Sequence, residues 1–131
     1  MELYIGGFAQ GKLEYVLSKH PKARIVDEHH YRELFEESPA GEAVIWNHFH
    51  LAVRDMIGRG EKPQEMQERV LALAENCPDL IFISDEIGNG IVPMEREERT
   101  VREETGRMLC KIAARADLVE RIFCGLPMRL K

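Results

Sequence analysis

Apolar residues fall along this chain in two alternating patterns. Short, nearly continuous runs read as buried strands: Leu3–Ile5, Ala23–Val26, Ala43–Trp46 within the stretch 42–50, Leu80–Ser84 and Leu118–Cys124. Between them the apolar positions take helical spacing. Lys12–Lys19 places Leu13, Val16 and Leu17 together and is stopped by His20-Pro21. His29–Glu37 carries Leu34 and Phe35 on one side, and Leu51–Gly58 favours helix until it meets glycines. Pro63 suits the first position of a helix that carries Met66, Val70, Leu71 and Leu73 toward Asn76. Arg96–Ala116 is a long amphipathic helix with Val101, Thr105, Met108, Leu109, Ile112 and Ala116 on one face. Asp85–Glu95 reads as a glycine-bearing loop, and Met128–Leu130 as an extension of the sheet.

Strands alternating with helices predict an α/β fold with a mostly parallel sheet and right-handed crossovers. In such folds ligands bind beyond the carboxyl ends of the strands. The loop at Gly6, the turn at Asp27, the stretch at Asn47 and the loop at Asp85 all fall there. With 131 residues and no repeat, linker or low-complexity tract, residues 1–131 are expected to form one domain.

Composition narrows the function classes. The net charge of −5 argues against nucleic-acid binding through a basic surface. No apolar run approaches the ~20 residues that cross a bilayer. The start of the chain has neither a basic n-region nor a cleavage site, so no signal peptide is expected. Cys77, Cys110 and Cys124 are odd in number and widely spaced, which points to reduced thiols and a cytoplasmic setting.

The sharpest chemical signal sits directly after the first strand. Gly6-Gly7-Phe8-Ala9-Gln10-Gly11-Lys12 has the spacing of a phosphate-binding loop, but Leu13 stands where that motif has Ser or Thr. A phosphate cradle needs backbone N–H groups pointing inward, and Gly6, Gly7 and Gly11 are expected to supply the freedom for it. The following helix presents its N-terminus to the anion, and Lys12 reaches the β- or γ-phosphate. The alternative is a plain glycine-rich turn between strand and helix. His48 and His50 lie two apart, so on a strand they share one face. A Zn²⁺ or Fe site would need a third ligand, which the sequence does not indicate, and packing or the lining of a cleft is the other reading. No metal ligand is therefore assigned.

A second signal lies in the C-terminal half. Ser84-Asp85-Glu86-Ile87-Gly88-Asn89-Gly90-Ile91-Val92-Pro93 resembles a signature of the bifunctional adenosylcobinamide kinase / adenosylcobinamide-phosphate guanylyltransferase family of cobalamin biosynthesis, whose usual form is Asn-Glu-Val-Gly-x-Gly-Ile-Val-Pro after a polar residue. The resemblance continues through Arg99, Arg102, Gly106-Arg107, Ala113 and Ala116-Asp117 to Gly125-Leu126-Pro127 and Lys131, and the opening strand and glycine loop match as well. It implies a three-layer P-loop NTPase-like (RecA-like) fold, GTP or ATP as nucleotide, adenosylcobinamide as substrate, and a homotrimer. It also implies two reactions: phosphorylation of the cobinamide hydroxyl, and GMP transfer through a guanylylated histidine. Carried onto this chain, residues Gly6, Gly7, Phe8, Ala9, Gln10, Gly11, Lys12, Leu13 and Asn47 would bind nucleotide. Glu86 matches the signature Glu and would orient substrate or metal-bound water, or else cap its loop by accepting backbone N–H bonds. Arg99 and Arg102 would contact substrate, although the interleaved glutamates also suit a solvated, ion-paired helix.

The chain departs from that family in three places. Leu13 replaces the Ser after the lysine. Asn47 falls where the third strand of the family ends in an Asp of Walker B type, so Mg²⁺ loses two supporting positions. The segment between the second and third strands, which carries the guanylylated histidine in the family, is cut to Asp27–Gly41. His29-His30 is its remnant, either as a substitute with His30 as nucleophile or as exposed residues opening a helix. The sequence thus predicts a shortened, divergent member that keeps nucleotide binding with impaired catalysis. The alternative is a non-catalytic nucleotide-binding or interaction protein on the same fold.

Overall fold

The computed structural model describes residues 1–87 and 95–131. Strand β1 (Glu2–Gly6) leads through the glycine loop into α1 (Lys12–Lys19), followed by β2 (Arg24–Val26), α2 (Arg32–Glu36), β3 (Val44–Trp46), α3 (Phe49–Gly58), α4 (Pro63–Asn76), β4 (Leu80–Asp85), α5 (Arg96–Arg115), β5 (Leu118–Phe123) and β6 (Leu126–Arg129). Sequence and structure agree closely on α1 and α4, where stop and start signals are local: His20 ends the first and Pro63 opens the second.

The sheet runs β2-β3-β4-β1-β5-β6. The first five strands are parallel and β6 is antiparallel to β5. The three-layer α/β arrangement expected of a P-loop NTPase-like fold is therefore present. Side chains alternate across the strands. Leu3, Val44, Trp46, Leu80, Phe82 and Val119 join the large core beneath the other helices. Tyr4, Ile45, Ile81, Ile83 and Ile122 pack with Val16 of α1 on the opposite face.

Three local expectations are corrected. The helix expected over His29–Glu37 is a short one, Arg32–Glu36, because the first residues turn around Asp27, whose carboxylate accepts the His29 N–H at 2.9 Å. Strand β3 stops at Trp46, so His48 and His50 do not share a strand face: His48 caps α3 in the left-handed region (φ 55°) and His50 lies in its first turn. Helix α3 thus starts at Phe49, earlier than the expected Leu51, because Phe49 is driven into the core, where it buries completely against Trp46 and Phe82. The final strand forms through a two-residue hairpin, Cys124-Gly125, both at positive φ (52° and 75°), as a tight antiparallel turn requires.

Candidate functional site

The carboxyl ends of β1, β3 and β4 open into one cleft of about 490 Å³, of a size that suits a small ligand. It is lined by residues 8–14 together with Asn47, His48, His50, Leu51 and Asp85. The sequence-predicted residues Phe8, Ala9, Gln10, Gly11, Lys12, Leu13 and Asn47 are therefore brought together. Phe8 stands out into solvent at the loop tip, 85% exposed.

The loop glycines have separate reasons. Gly11, at φ 83°, is the left-handed residue that turns the chain into α1. Gly6 is needed for close approach: a Cβ there would meet the Ile122 carbonyl oxygen at 2.4 Å. Gly7 shows neither constraint, and the second left-handed position belongs to Ala9 (φ 55°). The hairpin turn also holds the loop. The Gln10 backbone oxygen accepts the Gly125 N–H at 2.8 Å, and its side-chain Oε1 accepts the Cys124 N–H at 2.8 Å.

Lys12 is 93% buried from solvent by the loop around it, with 7% exposure. Its ammonium donates to the Gly7 carbonyl at 2.7 Å and pairs with Asp85 Oδ1, also at 2.7 Å. The other Asp85 oxygen lies 3.4 Å from His50 Nε2, and the Asp85 backbone N–H donates to His50 Nδ1 at 3.2 Å. An imidazole that accepts at Nδ1 carries its proton at Nε2. Burial is the main influence lowering the His50 pKa, and neighbouring Lys12 and His48 act the same way, against the Asp85 charge. His48, meanwhile, is engaged by Glu28 at 2.8 Å.

His48 and His50 both line the cleft, as one of their two sequence readings allowed, whereas Asp85 was placed beyond a strand end without an assigned role. Asp85 carried a signal, since it ends the strongest strand and directly precedes Glu86. The pairing with Lys12 had none, because it depends on β4 lying next to β1.

The remaining predicted residues lie elsewhere. Glu86 forms a two-pronged ion pair with Arg121, Oε1 to Nε at 2.7 Å and Oε2 to Nη2 at 3.0 Å. Its backbone N–H donates to the Gly6 carbonyl, so it braces the loop's entry strand and does not line the cleft. His30 is largely exposed and pairs with Asp27 at 3.0 Å, also outside the cleft lining. Arg99 and Arg102 are on α5 and are not among the residues that line the cleft. The signature stretch Gly88–Pro93 lies outside the described residues.

Among the described residues no three His, Cys, Asp or Glu side chains are grouped to hold a metal ion. Leu13 offers no oxygen and Asn47 no charge. Asp85 is the carboxylate beside the lysine, and one carboxylate with substrate phosphates and water is a donor set Mg²⁺ commonly uses. The donor that could hold a phosphate-borne Mg²⁺ in this cleft is therefore Asp85, with no charged ligand from Leu13 or Asn47.

Comparison with known proteins decides the family. The model of the cobinamide kinase / cobinamide phosphate guanyltransferase family matches residues 20–130. The chain belongs to this family. The bifunctional adenosylcobalamin biosynthesis protein CobU of Salmonella typhimurium is 33% identical over 63 residues, 47% of this chain and 35% of that protein. Its namesake from Escherichia coli is 31% identical over 65 residues, 49% and 36% of the two chains. The matched stretch thus spans about a third of each curated relative. The family match begins after the glycine loop, so the phosphate cradle rests on its own geometry. Among the described residues no helix is long and apolar enough to cross a membrane.

Proposed function

We propose that this chain binds the phosphates of GTP or ATP in the Gly6–Lys12 loop, as a shortened member of the cobinamide kinase / guanylyltransferase family that works in cobalamin nucleotide-loop assembly. The observation that carries the reading is Lys12: a buried ammonium at the N-terminus of α1, facing an open cleft. A lysine is seldom buried without a partner. Here one partner is a loop carbonyl and the other is a carboxylate that a phosphate can replace.

In this reading the free N–H groups of the first turn of α1 and the Lys12 ammonium hold the phosphate oxygens. The Asn47 amide donates to a phosphate or to bound water from the tip of β3. Phe8, exposed at the mouth, offers a ring for a base to stack on. Bound Mg²⁺ would neutralise charge on the transferring phosphoryl group. Arg99 and Arg102 remain proposed contacts for adenosylcobinamide. Glu86 is proposed as a brace that keeps the β1 exit in place through Arg121, which fits its contacts better than direct chemistry. His30 as an acceptor of GMP has the least support, because its ring is exposed and outside the cleft lining. A homotrimer and a cytoplasmic setting accompany the family reading as proposals.

A second reading, binding without catalysis, is favoured by Leu13 and Asn47 together, since the two positions that would fix Mg²⁺ are neutral. Calorimetry with GTP and ATP, each with and without Mg²⁺, tests the common element. Binding in the micromolar range that falls at least tenfold in Lys12→Ala supports it. Absence of binding at millimolar nucleotide overturns it. A Leu13→Ser, Asn47→Asp double variant should gain Mg²⁺-dependent phosphoryl transfer if only those positions are impaired. A folded double variant without any gain would reject that placement of Asn47.

A further inference from the structure

We propose that the Lys12–Asp85 pair is a partner-exchange site: it admits a di- or triphosphate together with a divalent cation, the phosphate taking Lys12 from Asp85 while the cation takes Asp85 from Lys12. The inference rests on the phosphate-binding reading above and adds a cation ligand at the tip of β4.

The charges lining the cleft carry the argument. Among the described residues that line the cleft, Lys12 is the one lysine or arginine, set against the carboxylates of Glu14 and Asp85. The lysine is already neutralised, with Asp85 Oδ1 at 2.7 Å and the Gly7 carbonyl at 2.7 Å. The nearby imidazoles do not change the balance in favour of an anion. His50 is held by both the backbone N–H and the carboxylate of Asp85, and His48 is turned to Glu28. A bare polyphosphate reaching Lys12 must therefore displace Asp85 and leave that carboxylate, only 18% exposed, facing the incoming negative charge. A divalent cation on the phosphate removes this conflict. It binds the released carboxylate, so each negative group in the cleft keeps a positive neighbour.

Asp85 is also built to survive the exchange. Its backbone is fixed by strand pairing of β4 with β1, Gly6 opposite Asp85, and by the bond to His50. The carboxylate thus changes partner by side-chain rotation, without strand movement. The neutral Asn47, just past the end of the neighbouring strand β3, adds no competing charge. One carboxylate at β4 here meets the need that paired positions at Leu13 and Asn47 cannot.

Inorganic pyrophosphate tests the exchange on the whole chain, titrated calorimetrically in EDTA and again in excess Mg²⁺, with circular dichroism to verify folding. For the unaltered protein, Mg²⁺ should raise the affinity at least tenfold. Asp85→Asn should bind pyrophosphate at least tenfold more tightly than the unaltered protein in EDTA, and its affinity should change less than about threefold when Mg²⁺ is added. Equal affinity of the unaltered protein in EDTA and Mg²⁺ overturns the exchange and leaves phosphate binding standing; this arm needs no variant. Weaker binding by folded Asp85→Asn in EDTA also overturns it, because the carboxylate would then be supporting Lys12 and not competing for it. No binding of pyrophosphate, GTP or ATP under either condition overturns both the exchange and the phosphate reading.

Discussion

The two faces of the sheet are built for different tasks. Beneath α2 to α5 lies an aromatic core: Trp46 stacks on Tyr31 with centroids 5.7 Å apart and meets Phe49 and Phe82 edge-on or tilted at 5.0 and 5.5 Å. On the other face, among the described helices, α1 packs over a smaller group of aliphatic residues and Tyr4. There the margin is polar. Lys19 donates to the Tyr4 hydroxyl at 2.8 Å and to Glu120 at 3.0 Å, and Tyr15 donates to Glu120 at 3.0 Å. Burial, ahead of the other influences, raises the Tyr4 pKa far above its ordinary value, so its hydroxyl stays protonated. The comparison teaches where stability and ligand binding separate. One face supplies apolar burial. The other pins the C-terminal end of α1 to β1 and β5, so that its N-terminal end stays directed at the cleft.

The largest effect should come from breaking the aromatic side of this division without touching the cleft. Met66→Ala, in α4 and fully buried, should cost about 2–5 kcal/mol in denaturant unfolding. Pyrophosphate affinity of the folded fraction should stay within about twofold. A tenfold loss there would show that the two faces are coupled. Gly6→Ala strikes the other side. The new Cβ would meet the Ile122 oxygen, so a loss of about 1–3 kcal/mol is expected. Unlike Met66→Ala, it should also weaken binding severalfold, since the loop must shift; unchanged affinity would mean that the close approach does not set the cradle.

The smallest effect sharpens the comparison through pH. Tyr31, in the aromatic core, donates its hydroxyl to Asp55 at 2.6 Å. That bond foremost, with Arg59 assisting, holds the Asp55 carboxyl below its usual pKa, while burial drives the Tyr31 phenol up to about 12. A depressed carboxyl stabilises the fold above its unfolded pKa of about 3.9 and loses that contribution as pH falls through its folded value. Asp55 is half-exposed, so Asp55→Asn should lower stability by under about 1 kcal/mol at pH 7. The gap between the two proteins should shrink as pH falls below the unfolded value of about 3.9 and on through the lower folded one. A gap that persists undiminished at pH 2.5 would assign the effect to packing.

Much of the architecture was legible because its signals are local. Continuous apolar runs marked Leu80–Ser84 and the other strands, and prolines and glycines bounded the helices. The glycine loop was legible for the same reason. Legibility failed where a distant strand decided the outcome. Gly6 is required by β5, not by its own φ, and Ala9 takes a left-handed conformation that nothing in its side chain announces. Glu86 looked like a cleft residue from its neighbours in sequence, yet Arg121 from β5 draws it aside.

The sequence by itself determined the α/β class, the family signature and the presence of a lysine at a helix N-terminus. Each follows from residues adjacent in the chain or spaced by one structural period. Only the tertiary structure decided what faces that lysine. Parallel pairing of β4 beside β1 sets Asp85 opposite Gly6 and brings its carboxylate to Lys12, 73 positions away in the chain. Charge at a few ångströms depends on strand order, and strand order is settled by packing across the whole sheet. The chemistry of this cleft is accordingly a property of the fold.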